Sequence, residues 1–282
     1  KGLVYKNSYF TNYKLIYPIF IYNLTMEAPN LLVKIENSIA LFTLNRPQQL
    51  NALNHQLIDE LNQELEKIKI DKNVKSLIIT GSGEKAFVAG ADIKEFAKFT
   101  SEEGENLARD GQKKLFDFIE NFPKPVIAAI NGFALGGGLE LAMACHIRLA
   151  SNNAKMGLPE VSLGVIPGYG GTQRLAQLDG KGKAMEMIAT GRMIDANQAL
   201  NYRLVNNIVQ PEDLISTCKD LANQIAKNSP NAISAAIKSI NAGFNSNLNG
   251  YEVEINSFGS CFGTEDFIEG TSAFLEKRKP NF

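Results

Sequence analysis

Three short apolar runs constrain the fold of this chain of 282 residues more than any other feature. The runs SLIIT (76–80), VIAAI (126–130) and IRLA (147–150) contain few side chains that would favour water. Strands of this composition are typical of a parallel sheet that is buried on both faces. Between the strands, segments such as 55–71 carry leucine and isoleucine at helical spacing. Strands that alternate with helices predict an α/β fold.

The sequence pattern divides the chain into three parts. Residues 1–25 contain no Asp or Glu, and their apolar run, 15–24, is too short to span a bilayer. We interpret residues 1–25 as an extension without catalytic importance, although lysines around the run also fit a signal peptide. We predict an α/β core that carries the active site in residues 26–210 and a helical C-terminal region in residues 211–282.

Composition excludes several classes of function. The formal net charge of −1 argues against a nucleic-acid or membrane-surface partner, since either normally selects a basic excess. Three widely spaced cysteines, Cys145, Cys218 and Cys261, suggest reduced thiols in a cytoplasmic protein. The chain has two histidines, His55 and His146, and neither lies in a cluster of metal-ligand residues, so we predict no metal site. Acid–base chemistry then falls to carboxylates.

The first candidate site is a run of three glycines, 136–138, directly before the apolar segment 139–144. A helix that begins in glycines exposes its free N–H groups to any oxygen that approaches them, which suits an oxyanion. The alternative is that the glycines only allow close packing of a helix against a strand. Glu140 interrupts the apolar segment, and a buried carboxylate needs a partner or a function.

Two further segments repeat this logic. Ala91 follows a glycine at the junction with a predicted helix, 92–99, so its N–H could be a second donor to one carbonyl oxygen. Glu160 follows Pro159 in an irregular stretch before the bare backbone of PGYGG. Taken alone, Glu160 also fits a solvated surface position.

Two other motifs have competing interpretations. Gly81-x-Gly83-x-x-Ala86 follows a strand and imitates a dinucleotide-binding fingerprint, but residues 87–90 should interrupt the helix which that motif requires. The cluster Lys277, Arg278 and Lys279 near the C-terminus fits either a solvated surface or contacts to phosphates across a subunit boundary, and Lys94 is a comparable candidate.

Together, four blocks resemble the crotonase (enoyl-CoA hydratase/isomerase) superfamily, closest to its short-chain enoyl-CoA hydratases and 3-hydroxybutyryl-CoA dehydratases. The resemblance covers about residues 31–282. The blocks, in chain order, are KAFVAGADIKEF, KPVIAAINGFALGGGLELAMAC, GLPEVSLGVIPGYGGTQRL and TEDFIEGTSAFLEKRKPNF.

The resemblance implies a spiral of β-β-α turns with a C-terminal helical trimerisation region, and a homotrimer or a hexamer built as a dimer of trimers. It implies a hydro-lyase that adds water reversibly, with syn geometry, across the 2,3 double bond of a 2-enoyl-CoA to give a 3-hydroxyacyl-CoA. Such a reaction belongs to fatty-acid β-oxidation or butyrate-type metabolism. Coenzyme A is part of the substrate, and no separate cofactor is expected.

The resemblance also assigns the site residues. The catalytic glutamates map onto Glu140 and Glu160, and the backbone N–H groups of the oxyanion hole map onto Ala91 and Gly137. The positions expected to bind the substrate or its CoA part are Ala52, Leu53, Ala89, Ala91, Asp92, Ile93, Lys94, Gly137, Gly168 and Lys277.

Some alternatives remain within this resemblance. The presence of both Glu140 and Glu160 favours hydration over enoyl-CoA isomerisation or another acyl-CoA reaction of the superfamily. A non-catalytic scaffold that binds CoA esters or RNA is the least favoured interpretation. The sequence departs from many relatives at His146, where they have Asp, and we expect an effect on packing or on the surface rather than a loss of activity.

Overall fold

The computed structural model describes residues 29–282; the predicted extension, residues 1–25, lies outside the described residues. The strands are β1 (Leu31–Glu36), β2 (Ile39–Leu44), β3 (Ser76–Gly81), β4 (Ala86–Val88), β5 (Val126–Ile130), β6 (Phe133–Leu135), β7 (Ile147–Ser151), β8 (Lys155–Gly157), β9 (Ile194–Asp195) and β10 (Asn207–Val209). The α-helices are α1 (His55–Ile70), α2 (Ser101–Gly111), α3 (Asp117–Glu120), α4 (Gly137–Ala144), α5 (Gly171–Asp179), α6 (Lys181–Thr190), α7 (Ala196–Asn201), α8 (Leu214–Ile225), α9 (Pro230–Ala242), α10 (Gly250–Cys261) and α11 (Glu265–Leu275). A π-helical stretch, Gln112–Phe116, joins α2 to α3.

The strands form two sheets between which the chain alternates. One sheet has the order β1-β2-β3-β5-β7-β10 and the other the order β4-β6-β8-β9. The pairs β3–β4, β5–β6 and β7–β8 therefore each contribute one strand to each sheet before the chain continues into helix. In each sheet, the strands that successive turns contribute pair in parallel. The predicted α/β class and the spiral of β-β-α turns are confirmed.

The central strands are buried on both faces, as their composition predicts. In β3, Leu77 and Ile79 pack into the larger core together with α1 and α4, whereas Ile78 packs into a second core on the opposite face. Helix α8 covers that second face through Leu214 and Cys218. Successive side chains of a strand point to opposite faces of the sheet, so an entirely apolar strand must be covered by an apolar core on each face.

The first hairpin and the first helix have local causes that can be seen in the sequence. Asn37 and Ser38 both have positive φ angles, of 50° and 62°, which is the backbone of the two-residue turn that joins β1 to β2. Asn54 caps α1, and its side chain accepts a hydrogen bond from the N–H of Leu57 at 3.0 Å. The predicted helix over 55–71 is therefore confirmed to within its last residue.

Two segments differ from simple sequence expectations. The predicted helix over 92–99 is wrong: only Ile93–Glu95 form a single 3-10 turn, because the side chain of Asp92 pairs with Arg46 and does not cap a helix. The dinucleotide fingerprint at 81–86 is also excluded, since the glycines lead into strand β4 and no helix begins there.

After β10, the described chain contains only helices, which begin with a 3-10 turn at Pro211–Asp213. Helix α8 is integrated with the large sheet, while α9 and α10 pack mainly against each other. The boundary between residues 26–210 and 211–282 stays a prediction. Among residues 29–282, no helix combines the length and the apolar character that crossing a membrane requires.

The glycine at 138 has the packing role that the alternative interpretation proposed. A Cβ atom there would lie 2.0 Å from the carbonyl oxygen of Val88, so α4 can approach β4 only without that side chain. We predict that Gly138→Ala destabilises the protein by about 1–3 kcal/mol through overpacking. Chemical denaturation measures this change. Gly104→Ala, in α2 with open space at its Cβ, is the control and should be neutral or stabilising. Equal stability of the two variants would contradict the packing role.

Candidate active site

Ala91 is held by a short backbone bridge to Leu53. The N–H of Leu53 donates to the carbonyl of Gly90 at 2.9 Å, and the N–H of Asp92 donates to the carbonyl of Leu53 at 2.7 Å. In a parallel bridge of this kind, the residue between the two contacts turns its own N–H to the opposite side. Within the described chain, the Ala91 N–H has no acceptor.

The loop that carries Ala52 and Leu53 is fixed by two polar residues that sequence reasoning missed. Asn51 is fully buried, and its side-chain amide donates to the carbonyls of Ser82 and Ala86 at 2.9 and 2.8 Å. Its φ of 58° is one of two successive left-handed conformations in this loop. Arg46 donates to the carbonyl of Ala52 and pairs with Asp92. The sequence carries no clear signal for these roles, because Arg46 and Asn51 lie in a stretch, NRPQQLN (45–51), that is itself mostly polar.

The three glycines at the start of α4 have different roles. Gly136 has a φ of 51°, and a Cβ there would lie 2.9 Å from Oε1 of Glu160. Gly138 allows the contact with β4. A Cβ at Gly137 would make only ordinary contacts, with Leu53 and Tyr169 at 3.5 Å, and would lie 3.7 Å from the backbone nitrogen of Ala91.

The fold brings Gly137 close to Ala91, since a Cβ at Gly137 would lie 3.7 Å from the backbone nitrogen of Ala91. Gly137 is the first residue of α4, so its N–H has no partner inside the helix, and the described residues offer it no other acceptor. The positive end of the helix dipole lies at the same point. Two free amides this close together are suited to bind a single carbonyl oxygen and to stabilise negative charge that develops on it.

Glu140 lies in the first turn of α4 and is 1% exposed. Its Oε1 accepts hydrogen bonds from the backbone N–H groups of Tyr169 and Gly171, both at 2.8 Å. A side chain at Gly171 would meet this oxygen at 2.8 Å, so the close approach requires glycine. Two charge-assisted hydrogen bonds thus partly compensate the buried carboxylate.

Glu160 begins the 3-10 helix Glu160–Leu163 and is half-buried. Its Oε1 faces Gly136, next to Gly137. Its Oε2 is buried without a hydrogen-bond partner in the described chain. A buried carboxylate oxygen without a partner requires an explanation, and a catalytic role is one that fits its position beside Gly136.

The electrostatic environment raises the pKa of both carboxyl groups. Burial is the largest cause for Glu140 and raises its pKa to about 7, with the charge of Glu160 acting in the same direction. The hydrogen bond from Gly171 opposes this change. Burial also raises the pKa of Glu160. Two neighbouring acids with raised pKa values can share a proton near neutral pH, so the pair can supply both an acid and a base.

The other expected binding positions are found in three places. Ala52, Leu53, Ala89 and Ala91 lie on the two bridged loops, of which Leu53 is buried and the others are half-buried. The next residues, Asp92, Ile93 and Lys94, continue along the same surface: Asp92 is paired with Arg46, while Ile93 and Lys94 are exposed. The carbonyl of Gly168 accepts a hydrogen bond from Gln112 at 2.7 Å, beside the loop that holds Glu140.

Two basic candidates lie apart from this arrangement. The side chain of Lys277 is exposed and makes no hydrogen bond or ion pair with the described site residues, so its contact with CoA stays a prediction. Its neighbour Arg278 is already paired with Glu269 and Glu276.

His146, where many relatives are expected to have Asp, packs inside the chain. Its Nδ1 accepts a hydrogen bond from the N–H of Val126 at 2.9 Å, and burial lowers the pKa of His146.

Comparisons with known proteins identify the family of the chain. The Enoyl-CoA hydratase/isomerase family model matches residues 34–282. A short-chain-enoyl-CoA hydratase of Clostridium acetobutylicum is 46% identical over 255 residues, covering 90% of this chain and 97% of that protein. A crotonyl-CoA hydratase of Syntrophomonas wolfei is 44% identical over 258 residues, covering 91% and 99%.

A solved structure gives the same result for the fold. The crystal structure of an enoyl-CoA hydratase from Bacillus anthracis has a TM-score of 0.84 and 40% identity, and the match covers 90% of this chain and 98% of that one. The similarity therefore extends through the core and the C-terminal helices alike. The chain belongs to the enoyl-CoA hydratase/isomerase family.

Proposed function

We propose that this protein is an enoyl-CoA hydratase that adds water across the 2,3 double bond of a short 2-enoyl-CoA. The observation that carries this proposal is the pair of carboxylates, Glu140 and Glu160, beside the two free amides of Ala91 and Gly137. Relatives 44–46% identical to the chain are named as short-chain-enoyl-CoA and crotonyl-CoA hydratases, which supports the same reaction.

The proposed mechanism uses the amides as electrostatic catalysts. The thioester oxygen accepts hydrogen bonds from the N–H groups of Ala91 and Gly137, which draws electron density away from C3 of the conjugated double bond. Negative charge grows on this oxygen as C3 is attacked. Fixed backbone dipoles stabilise that charge without reorganising, and they are the main source of rate enhancement in such sites.

The two glutamates complete the addition of water. An ionised carboxylate takes one proton from a water molecule as the water oxygen bonds to C3, and the protonated partner gives its proton to C2. One O–H bond and one C=C π bond break, while one C–O and one C–H bond form. The proton taken from water leaves the pair with the proton count it had at the start. The raised pKa values of Glu140 and Glu160 suit this shared-proton chemistry.

The remaining features of the proposal concern cofactors, compartment and partners. The addition of water changes no overall oxidation state and needs no group beyond the substrate, its CoA part and water, so we propose that no separate cofactor takes part. We expect no nucleic-acid or membrane partner. A cytoplasmic location fits the three cysteines, Cys145, Cys218 and Cys261, none of which forms a disulfide in the described chain.

The C-terminal helices support an oligomer. Large apolar side chains are exposed on and around α9, α10 and α11 within the described chain, and exposed apolar patches of this kind mark protein–protein contacts. These side chains are Ile240, Phe244, Leu248, Tyr251, Ile255, Phe258, Phe262, Ile268, Phe274 and Leu275. We propose that they are covered in a homotrimer, or in a hexamer formed from two trimers.

The acid pair gives the first test of the proposed function. Glu140→Gln and Glu160→Gln should each reduce the hydration of crotonyl-CoA by about 100-fold or more, since each removes one half of the proton transfer. Binding of a CoA ester, measured by calorimetry, should remain. The exposed Glu102→Gln is the control and should keep wild-type turnover. Near-wild-type turnover in either active-site variant would refute the two-acid mechanism.

The oxyanion assignment is tested by removing one donor. Gly137 is the first residue of α4, where proline is compatible with the helix, so Gly137→Pro removes the N–H at low cost to folding. We expect kcat to fall about 100- to 1,000-fold. Lys181→Pro, at the first position of α6, is the matched control. If Gly137→Pro and Lys181→Pro have the same kcat, the N–H of Gly137 does not bind the substrate oxygen.

The oligomer is tested by its mass in solution. Light scattering after gel filtration should give three or six times the chain mass of 30.9 kDa. Phe258→Glu places a charge on the exposed apolar surface and should shift the mass toward the monomer, while Lys238→Glu, on the same helical region, should not. A monomeric wild-type protein would contradict this proposal.

A further inference from the structure

Arg174 is a buried cation in α5 that the proposed chemistry does not use directly. It is 6% exposed, although it carries a permanent charge. Its Nη2 lies 2.8 Å from Oδ1 of Asp117 and 2.7 Å from Oε2 of Glu120, and its Nε donates to the second oxygen of Glu120 at 3.2 Å. The remaining nitrogen, Nη1, donates to the backbone carbonyl of Tyr169 at 2.8 Å.

This last contact connects Arg174 to Glu140. Tyr169 accepts from Arg174 through its carbonyl and donates to Oε1 of Glu140 through its N–H. Gly171, the second donor to Glu140, lies two residues farther along and begins α5, the helix that carries Arg174. The guanidinium of Arg174 thus holds the 169–171 turn in place, and this turn supplies both N–H groups that donate to Glu140.

The turn is shaped to accept the guanidinium. Gly170 has a φ of 93°, and a Cβ there would lie 2.2 Å from Nη1 of Arg174. The cation therefore occupies the side of the turn that a side chain at residue 170 would fill. Two uncharged contacts hold the turn from other sides: Gln112 donates to Gly168, and the ring of Tyr169 stacks on Phe116 at 4.5 Å.

We propose that Arg174 is a positioning residue for the reaction: it fixes the 169–171 turn so that the amides of Tyr169 and Gly171 hold the carboxylate of Glu140 in place. The inference rests on the proposed function. A planar fork that donates in several directions can fasten a backbone carbonyl and two carboxylates at once, whereas a lysine ammonium cannot match that geometry.

The charge of Arg174 has a second consequence at the same carboxylate. Arg174 lowers the pKa of Glu140, against the larger effect of burial. The other titratable groups that face Glu140 are Glu160 and Tyr169, and burial raises the pKa of Tyr169 to about 12, so Tyr169 stays neutral. Without the cation, the pKa of Glu140 should move further upward, and the pH dependence of kcat should follow it.

The experiment compares Arg174→Met and Arg174→Lys with the wild type, using crotonyl-CoA across a range of pH. We expect Arg174→Met to lower kcat roughly 10- to 100-fold through misplacement of Glu140, while KM changes much less. Its pH profile should shift to higher pH. Arg174→Lys should restore part of kcat and part of the shift. Arg109→Met, which breaks an exposed ion pair with Glu105, should change neither.

A measurement that does not need turnover separates this inference from the proposed function. The carboxyl ¹³C resonance of Glu140, assigned by its loss in Glu140→Gln, reports the pKa of Glu140 directly. We expect this pKa to rise in Arg174→Met, or in Arg174→Lys by a smaller amount if the methionine variant does not fold. An unchanged pKa together with an unchanged pH profile would overturn the role of Arg174. If the wild type does not hydrate crotonyl-CoA but the pKa of Glu140 still rises in the Arg174 variants, the proposed function is overturned and the contact between Arg174 and the Glu140 turn is not.

Discussion

The hydrogen bonds from Tyr169 and Gly171 to the buried carboxylate of Glu140 are the contacts on which the site depends. A carboxylate that is 1% exposed needs donors, and α4 itself does not supply them at this oxygen. The donors come from the start of α5, so the carboxylate joins two helices that follow different turns of the spiral. The same contacts limit how far burial raises the pKa of Glu140, which leaves the group able to exchange a proton near neutral pH.

The glycines around this carboxylate show how the fold places a reactive group at low cost. Gly138 allows α4 to reach β4, Gly136 makes the turn and leaves space for Glu160, and Gly171 lets the second donor approach. At each of these three glycines, a side chain would collide with a different neighbouring group. Gly137 is the exception, because no described atom would collide with its Cβ; its N–H has no acceptor in the described chain, and it lies close to Ala91, whose N–H also has none.

Sequence reasoning predicted the parts of this arrangement that depend on local pattern. The apolar runs predicted three strands of the large sheet, β3, β5 and β7, and the glycines before Glu140 marked the start of α4, because burial on both faces and a bare helix N-terminus leave clear signals in composition. Contacts between residues that lie far apart in the sequence left no such signal. The donors to Glu140 lie 29 and 31 residues away, and Arg174 reaches Glu120 across 54 residues. The prediction of a helix over 92–99 failed for the same reason, because Asp92 pairs with Arg46, which lies on another loop.

A structure with a bound acyl-CoA tests the central claim most directly. The account predicts that the thioester oxygen lies within hydrogen-bond distance of the backbone nitrogens of both Ala91 and Gly137, with C2 and C3 next to the carboxylates of Glu140 and Glu160. A thioester oxygen bound elsewhere, or acyl carbons out of reach of either glutamate, would contradict it.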